Sequence, residues 1–243
     1  MKTIGLVGGT TWYSTLDYYR YANEMVNETL GDNNYAQIII NSVNYGDITK
    51  RVQADDWKGV GKIISAAAKS LQAAGADCIL LGANTMHNVA PDVEASVQIP
   101  LIHIARETAK EIKKAGIDSV ALLGTKYTMQ LDFFKNILSE YGIATMIPNE
   151  VGMEKINVAI YDELAKGLVL DPTKKSFLEI IDKLAGLGAD GVILGCTEIP
   201  MLIKPTDCPL PLFDTTKIHA RAAVNFILDI ADAPLQEAEK EIV

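Results

Sequence analysis

The chain has 243 residues, with 22 Lys and Arg against 31 Asp and Glu, and a formal charge of −9. An acidic chain lacks the positive field that a phosphate backbone requires, so nucleic acid is excluded as an expected partner. Hydrophobic residues make up 49%, enough for a substantial core, and the three cysteines show no CxxC pair or Cys/His cluster that would read as a disulfide scaffold or a zinc site. No apolar run approaches the roughly 20 residues of a bilayer span, and the first residues read as a strand rather than a signal. The expectation is a cytoplasmic protein that needs neither membrane nor metal.

The elements follow in order. Thr3-Ile4-Gly5-Leu6-Val7 is a short apolar strand, and a helix over 14–29 opens with hydroxyl residues suited to capping. A strand at 37–41 leads into a loop over 42–53. The next helix, 57–74, carries Val60, Ile63, Ile64, Ala67 and Leu71 at helical spacing and stops at Gly75. Strands at 78–81 and 101–104, a helix at 106–115 and a strand at 119–123 come next. A helix at 130–141, a strand at 144–147, helices at 155–167 and 172–187, strands at 191–194 and 211–213 and a helix at 216–231 complete the series. Most strands are apolar throughout rather than alternating, as parallel strands covered on both faces are. Strand–helix alternation predicts parallel sheets with right-handed crossovers.

An internal repeat organises these elements. Gly75-Ala76-Asp77-Cys78-Ile79-Leu80-Leu81-Gly82-Ala83-Asn84-Thr85 aligns with Gly188-Ala189-Asp190-Gly191-Val192-Ile193-Leu194-Gly195-Cys196-Thr197-Glu198. Gly5-Leu6-Val7-Gly8 aligns with Ala121-Leu122-Leu123-Gly124, and Pro100-Leu101-Ile102-His103 with Pro211-Leu212-Phe213-Asp214. The three matches keep their order at an offset of roughly 111–116 residues. They divide the chain into two pseudo-symmetric, doubly wound α/β (Rossmann-like) domains. The first comprises residues 1–103 with 210–243, so that the last strand and helix return to it, and the second comprises 104–209. The tail from Asp232 is expected to be peripheral.

Ligands bind beyond the carboxyl ends of parallel strands. The loops there, 8–14, 42–53, 82–87, 124–128, 195–198 and 214–216, are rich in Gly, Thr, Ser and Asn, which donate N–H and O–H groups to an anion or cap a helix. Six such loops from two related halves predict a shared cleft. Gly5-Leu6-Val7-Gly8-Gly9-Thr10 lacks the spacing of a dinucleotide fingerprint, and no Walker sequence is present. Cys78, inside a strand, and Cys208, before Pro209, read as buried small hydrophobes. Cys196 lies past a strand end at a helix start, a place that favours thiolate. His87 is placed to hydrogen-bond the 83–85 loop from behind, and His103 reads as a core or rim residue. Tyr18 and Tyr19 read as packing, Trp12 and Tyr13 as lining the cleft entrance.

Gly195-Cys196-Thr197-Glu198 with Ala83-Asn84-Thr85-Met86-His87 resembles the aspartate/glutamate racemase family. Gly8-Gly9-Thr10, Leu123-Gly124-Thr125 and Phe213-Asp214-Thr215-Thr216 carry the resemblance along essentially the whole chain. It implies a cofactor-independent enzyme, a homodimer, in which two cysteines face opposite sides of a bound amino acid. One thiolate removes the α-proton and the other thiol returns one. It also implies that Gly8, Thr10, Asn84, Thr85, Thr125, Thr128 and Thr197 surround the substrate. Lys166 is implied to meet a distal carboxylate, with Arg51 as a further candidate cation. The family pattern Cys-Asn-Thr stands here as Ala83-Asn84-Thr85, so one of two bases is missing. Three accounts stay open: an engineered Cys→Ala variant, a single-cysteine relative that transfers a proton on one side or decarboxylates, and a non-catalytic binder of acidic amino acids.

Overall fold

The apolar runs become the strands of two parallel sheets in a computed structural model that describes residues 1–230. The first half runs β1 (Ile4–Gly8), α1 (Trp12–Leu30), β2 (Ile38–Ser42), α2 (Tyr45–Gln53), α3 (Trp57–Ala73), β3 (Cys78–Leu81), a 3-10 turn at Thr85–Val89 and α4 (Ala90–Glu94). The second runs α5 (Ile104–Lys114), β4 (Ser119–Gly124), α6 (Lys126–Gln130), α7 (Asp132–Glu140), β5 (Ala144–Met146), α8 (Glu150–Asp162), a turn at Leu164–Lys166, α9 (Asp171–Gly186), β6 (Gly191–Gly195) and α10 (Ile199–Leu202). After a turn at Pro205–Asp207 come β7 (Leu212–Asp214) and α11 (Thr215–Leu228).

The two sheets have equivalent topologies, as the repeat requires. One is ordered β2-β1-β3 and is extended by a single parallel rung between Ile79 and Leu101; the other is ordered β5-β4-β6-β7. Side chains alternate across each strand, so both faces need cover. On β1, Ile4 and Leu6 pack with α1 and α11, whereas Val7 packs with α3. On β4, Val120 and Leu122 pack with α5 and α7, whereas Ala121 and Leu123 meet α8 and α9. The expected α/β architecture of two doubly wound, Rossmann-like sheets is the architecture observed.

The last segment differs from expectation. Its strand, β7, pairs with β6 through Val192–Leu212, Ile193–Phe213 and Leu194–Asp214, and so completes the second sheet. Only its helix returns: Ala220, Ala223, Val224 and Ile227 of α11 bury against Ile4, Leu6, Cys78 and Leu80. The reason is local, since the short segment after β6 leaves the strand beside its predecessor, while the apolar face of α11 matches the uncovered face of the first sheet. The first half behaves reciprocally: Leu101 adds to the first sheet, and α5 then crosses to the second. The strand expected at 101–104 is thus a single bridge. The 42–53 loop contains α2, with Asn44 capping Gly46 N–H, and the helix expected at 155–167 begins at Glu150, where Asn149 caps Gly152 N–H. The tail from Asp232 lies outside the described residues.

Candidate active site

Residues that follow the carboxyl ends of β1, β2, β3, β4 and β6 line one cavity of about 400 Å³. Close backbone approach forms its floor. A Cβ on Gly195 would lie 2.7 Å from the Leu123 carbonyl oxygen, and one on Gly124 would lie 2.9 Å from that of Gly195, so only glycine lets β4 and β6 end side by side. Gly9 has φ +81°, which turns the chain from β1 toward Thr10.

Ala83 and Cys196 both line this cavity, each just past its strand. The residues between them tie the halves together. Asn84 Nδ2 donates to Thr215 Oγ1 at 3.0 Å, and that hydroxyl donates to the Leu194 carbonyl, also at 3.0 Å. Thr85, from the first half, meets Thr125 and Thr128, from the second, at 3.1 and 3.3 Å. Two buried polar atoms at the cavity wall, Thr10 Oγ1 and Asn84 Oδ1, have no hydrogen-bond partner among the described residues. Such atoms are costly unless a ligand meets them. Because Asn84 Nδ2 is committed to Thr215, its Oδ1 is a fixed acceptor, suited to an ammonium group.

The Cys196 thiol donates to Glu198 Oε2 at 2.8 Å, and the Thr197 hydroxyl donates to the same oxygen at 2.7 Å. Burial, then the Glu198 carboxylate, pushes the thiol well above its ordinary range. The expectation of a thiolate favoured by a helix start is therefore overturned: α10 has only four residues, and desolvation and a neighbouring negative charge outweigh its dipole. Cys196 rests as a thiol. Cys78 and Cys208 are buried, with burial pushing Cys78 up to about 12.

Behind the Ala83 loop lie all three histidines of the chain. His87 Nε2 accepts from Ile104 N–H at 3.3 Å, which leaves its Nδ1–H to donate to the Ala83 carbonyl at 3.0 Å. His103 Nδ1 accepts from Ala105 N–H, and His219 holds the Ile102 carbonyl and the Tyr18 hydroxyl at 2.7 Å each. The crossover at 102–105 is thus gripped by three neutral imidazoles.

Residues 7–223 match the family model described as Asp/Glu/Hydantoin racemase. The chain belongs to this family. It is 24% identical over 173 residues to the broad specificity amino-acid racemase RacX of Bacillus subtilis (strain 168), covering 71% of this chain and 74% of that one. Among solved structures it is similar to an Asp/Glu racemase candidate from Yersinia pestis, at 42% identity and TM-score 0.89, covering 94% of this chain and 100% of that one. An aspartate racemase homologue from Pyrococcus horikoshii OT3 follows at 39% identity, TM-score 0.84 and the same coverage.

Of the positions the family resemblance singled out, Thr10, Ala83, Asn84, Thr85, Thr125, Cys196 and Thr197 line the cavity. Gly8 is buried at the end of β1, and Thr128 supports the wall through its hydroxyl contacts. The two candidate cations do not line it. Arg51 is ion-paired with Asp56, and Lys166 lies 3.5 Å from Asp162 with its side chain 60% exposed. The Leu164–Lys166 turn presents Ala165 to the cavity instead. Trp12 and Tyr13 stack on each other on the exposed surface, Tyr18 is buried against His219, and Tyr19 is exposed rather than packed.

Four further residues line the wall, Tyr45, Tyr161, Lys126 and Glu198; all but Tyr161 lie in loops expected at the cleft, but none carries an individual role in the sequence. Lys126 is the single basic side chain among the lining residues, and Glu198 the single acidic one. The repeat held a signal for Glu198, which aligns with Thr85, a residue already singled out. Among the described residues no helix is long and apolar enough to cross a membrane, and no group of His, Cys, Asp and Glu is arranged to hold a metal ion.

Proposed function

We propose that this racemase-family chain transfers a proton at the α-carbon of an acidic amino acid, with Cys196 as its acid/base group and no second base at Ala83. The observation that carries this reading is that Cys196 and Ala83, at equivalent strand ends of two halves with equivalent sheet topology, line one and the same cavity. Mirror-related groups on either side of a planar carbanion are what racemisation demands. A carbanion also requires its developing charge to be met, and the threonine hydroxyls and backbone N–H groups of these loops supply donors. Asn84 Oδ1 suits the ammonium, and Lys126 suits a distal carboxylate.

With Ala83 in place the chemistry is one-sided. Cys196 exchanges the α-proton of one enantiomer and the carbanion is reprotonated from the same face. Ala83→Cys supplies the opposing thiol and is expected to raise racemisation of aspartate or glutamate by at least about 100-fold, the least that a positioned acid or base contributes. Polarimetry and NMR in deuterium oxide check both points. Free interconversion of enantiomers by the Ala83 chain would refute the two-thiol logic.

A second reading has its own support in the protonated resting state of Cys196. A lone thiol can protonate a carbanion formed by loss of carbon dioxide. Release of carbon dioxide from a dicarboxylic acid, without α-proton exchange of any amino acid, would favour it.

A further inference from the structure

Glu198 is a carboxylate only 6% exposed, set at the cavity wall. None of the ion pairs among the described residues includes it. Burying an unpaired carboxylate is unfavourable, so packing alone gives no reason for it. Its Oε2 is held by two donors, the Thr197 hydroxyl and the Cys196 thiol. The thiol bond is the informative one. A thiol that donates to a carboxylate cannot accept a proton from carbon until its own proton has gone elsewhere.

We propose that Glu198 is that destination: Oε2 takes the Cys196 proton as Sγ takes the α-hydrogen of the bound amino acid. The step balances within the site. The S–H bond breaks as an O–H bond forms on Glu198. The thiolate pair then forms a new S–H bond with the α-hydrogen, and the C–H electron pair stays on the α-carbon and its carboxylate. Two hydrogens now lie between Sγ and Oε2, one from the substrate and one from the thiol. Either can return to the carbon, so exchange proceeds on one face without a second thiol. The Thr197 hydroxyl keeps Oε2 on the sulfur as the proton arrives. This role rests on the reading of Cys196 as the group acting at the α-carbon.

The test compares two properties that the proposal drives in opposite directions. Glu198→Gln removes the proton acceptor and also the negative charge beside the thiol. Alkylation of Cys196 by iodoacetamide near neutral pH should therefore rise about tenfold or more, because the thiol loses the charge that holds it protonated. Exchange of the α-hydrogen of aspartate or glutamate in deuterium oxide should fall by about 100-fold or more. A carboxylate that merely restrains the thiol would, once removed, raise both rates. Exchange that is unchanged or faster in Glu198→Gln overturns the proposal. If Glu198→Gln does not fold, Glu198→Asp carries the test. It keeps a carboxylate one methylene short, and should lose exchange without gaining alkylation; full exchange there overturns the proposal. An unaltered chain that exchanges no enantiomer refutes the underlying reading instead.

Discussion

Acid should loosen this protein at its histidines, and His219 isolates the effect. Burial lowers His219 from the usual 6.5 to about 4, although its bond to the Ile102 carbonyl opposes the shift. A histidine whose folded value is lowered stays neutral in the folded chain while the unfolded chain takes up a proton. Its stabilising contribution is complete above about pH 6.5, shrinks as pH falls, and is exhausted below about pH 4. Between about pH 7 and pH 5 the loss is about 2 kcal/mol for this one group. His103, lowered to about 3 by burial and by Arg106 and His219, loses a similar amount. Asp214 is raised by burial and changes in the opposite sense, so the whole-protein curve mixes signs. The difference between variants does not. His219→Gln can still donate to Ile102 but never titrates. Urea unfolding of both proteins at the two pH values should show the variant losing about 2 kcal/mol less on acidification, whatever its stability at neutral pH. Equal pH dependence in the two proteins would refute the neutral, buried histidine cluster.

Two further outcomes follow from the cavity walls. Lys126→Met should weaken aspartate and glutamate binding about tenfold by calorimetry, while Lys166→Met should leave it nearly unchanged, because Lys126 alone is a lining cation. Gly9→Ala should destabilise the chain by about 2 kcal/mol or more in denaturant melts, since φ is +81° there and a Cβ would collide with the Val43 carbonyl.

The sequence was most legible where local rules act alone. Fully apolar runs such as Cys78-Ile79-Leu80-Leu81 announce buried parallel strands, and the repeat places Ala83 and Cys196 at matching strand ends without any coordinates. Boundaries are less legible where a cap residue sits inside a polar stretch, as at Asn44, whose side chain begins α2 within the expected 42–53 loop. The two candidate cations, Arg51 and Lys166, stand outside the cavity lining for a different reason. Whether a helix-borne lysine faces a cleft depends on the rotation of its helix, and the turn that follows α8 sends Lys166 outward and Ala165 inward. The protonation of Cys196 was equally hidden, because it depends on a carboxylate two residues away turning back onto the sulfur.

The exchange of helices between halves explains why the cleft needs so elaborate a seam. After Leu101 the chain crosses to the second sheet as α5, and after β7 it crosses back as α11. The two crossings occupy aligned positions of the repeat, and each is started by a side chain at the same place. His103 accepts from Ala105 N–H, and Asp214 accepts from Thr216 and Lys217 N–H. Helix starts need an acceptor, and a carboxylate serves at neutral pH without help. An imidazole serves only while uncharged. The first crossing therefore depends on the low proton affinity that burial imposes, and the same crossover is bound through His87 to the carbonyl of Ala83. The loop that lines the cavity together with Cys196 is thereby tied to the link between the domains. Any motion that opens the cleft must strain the bond from Ile104 N–H to His87 or carry both ends of it together.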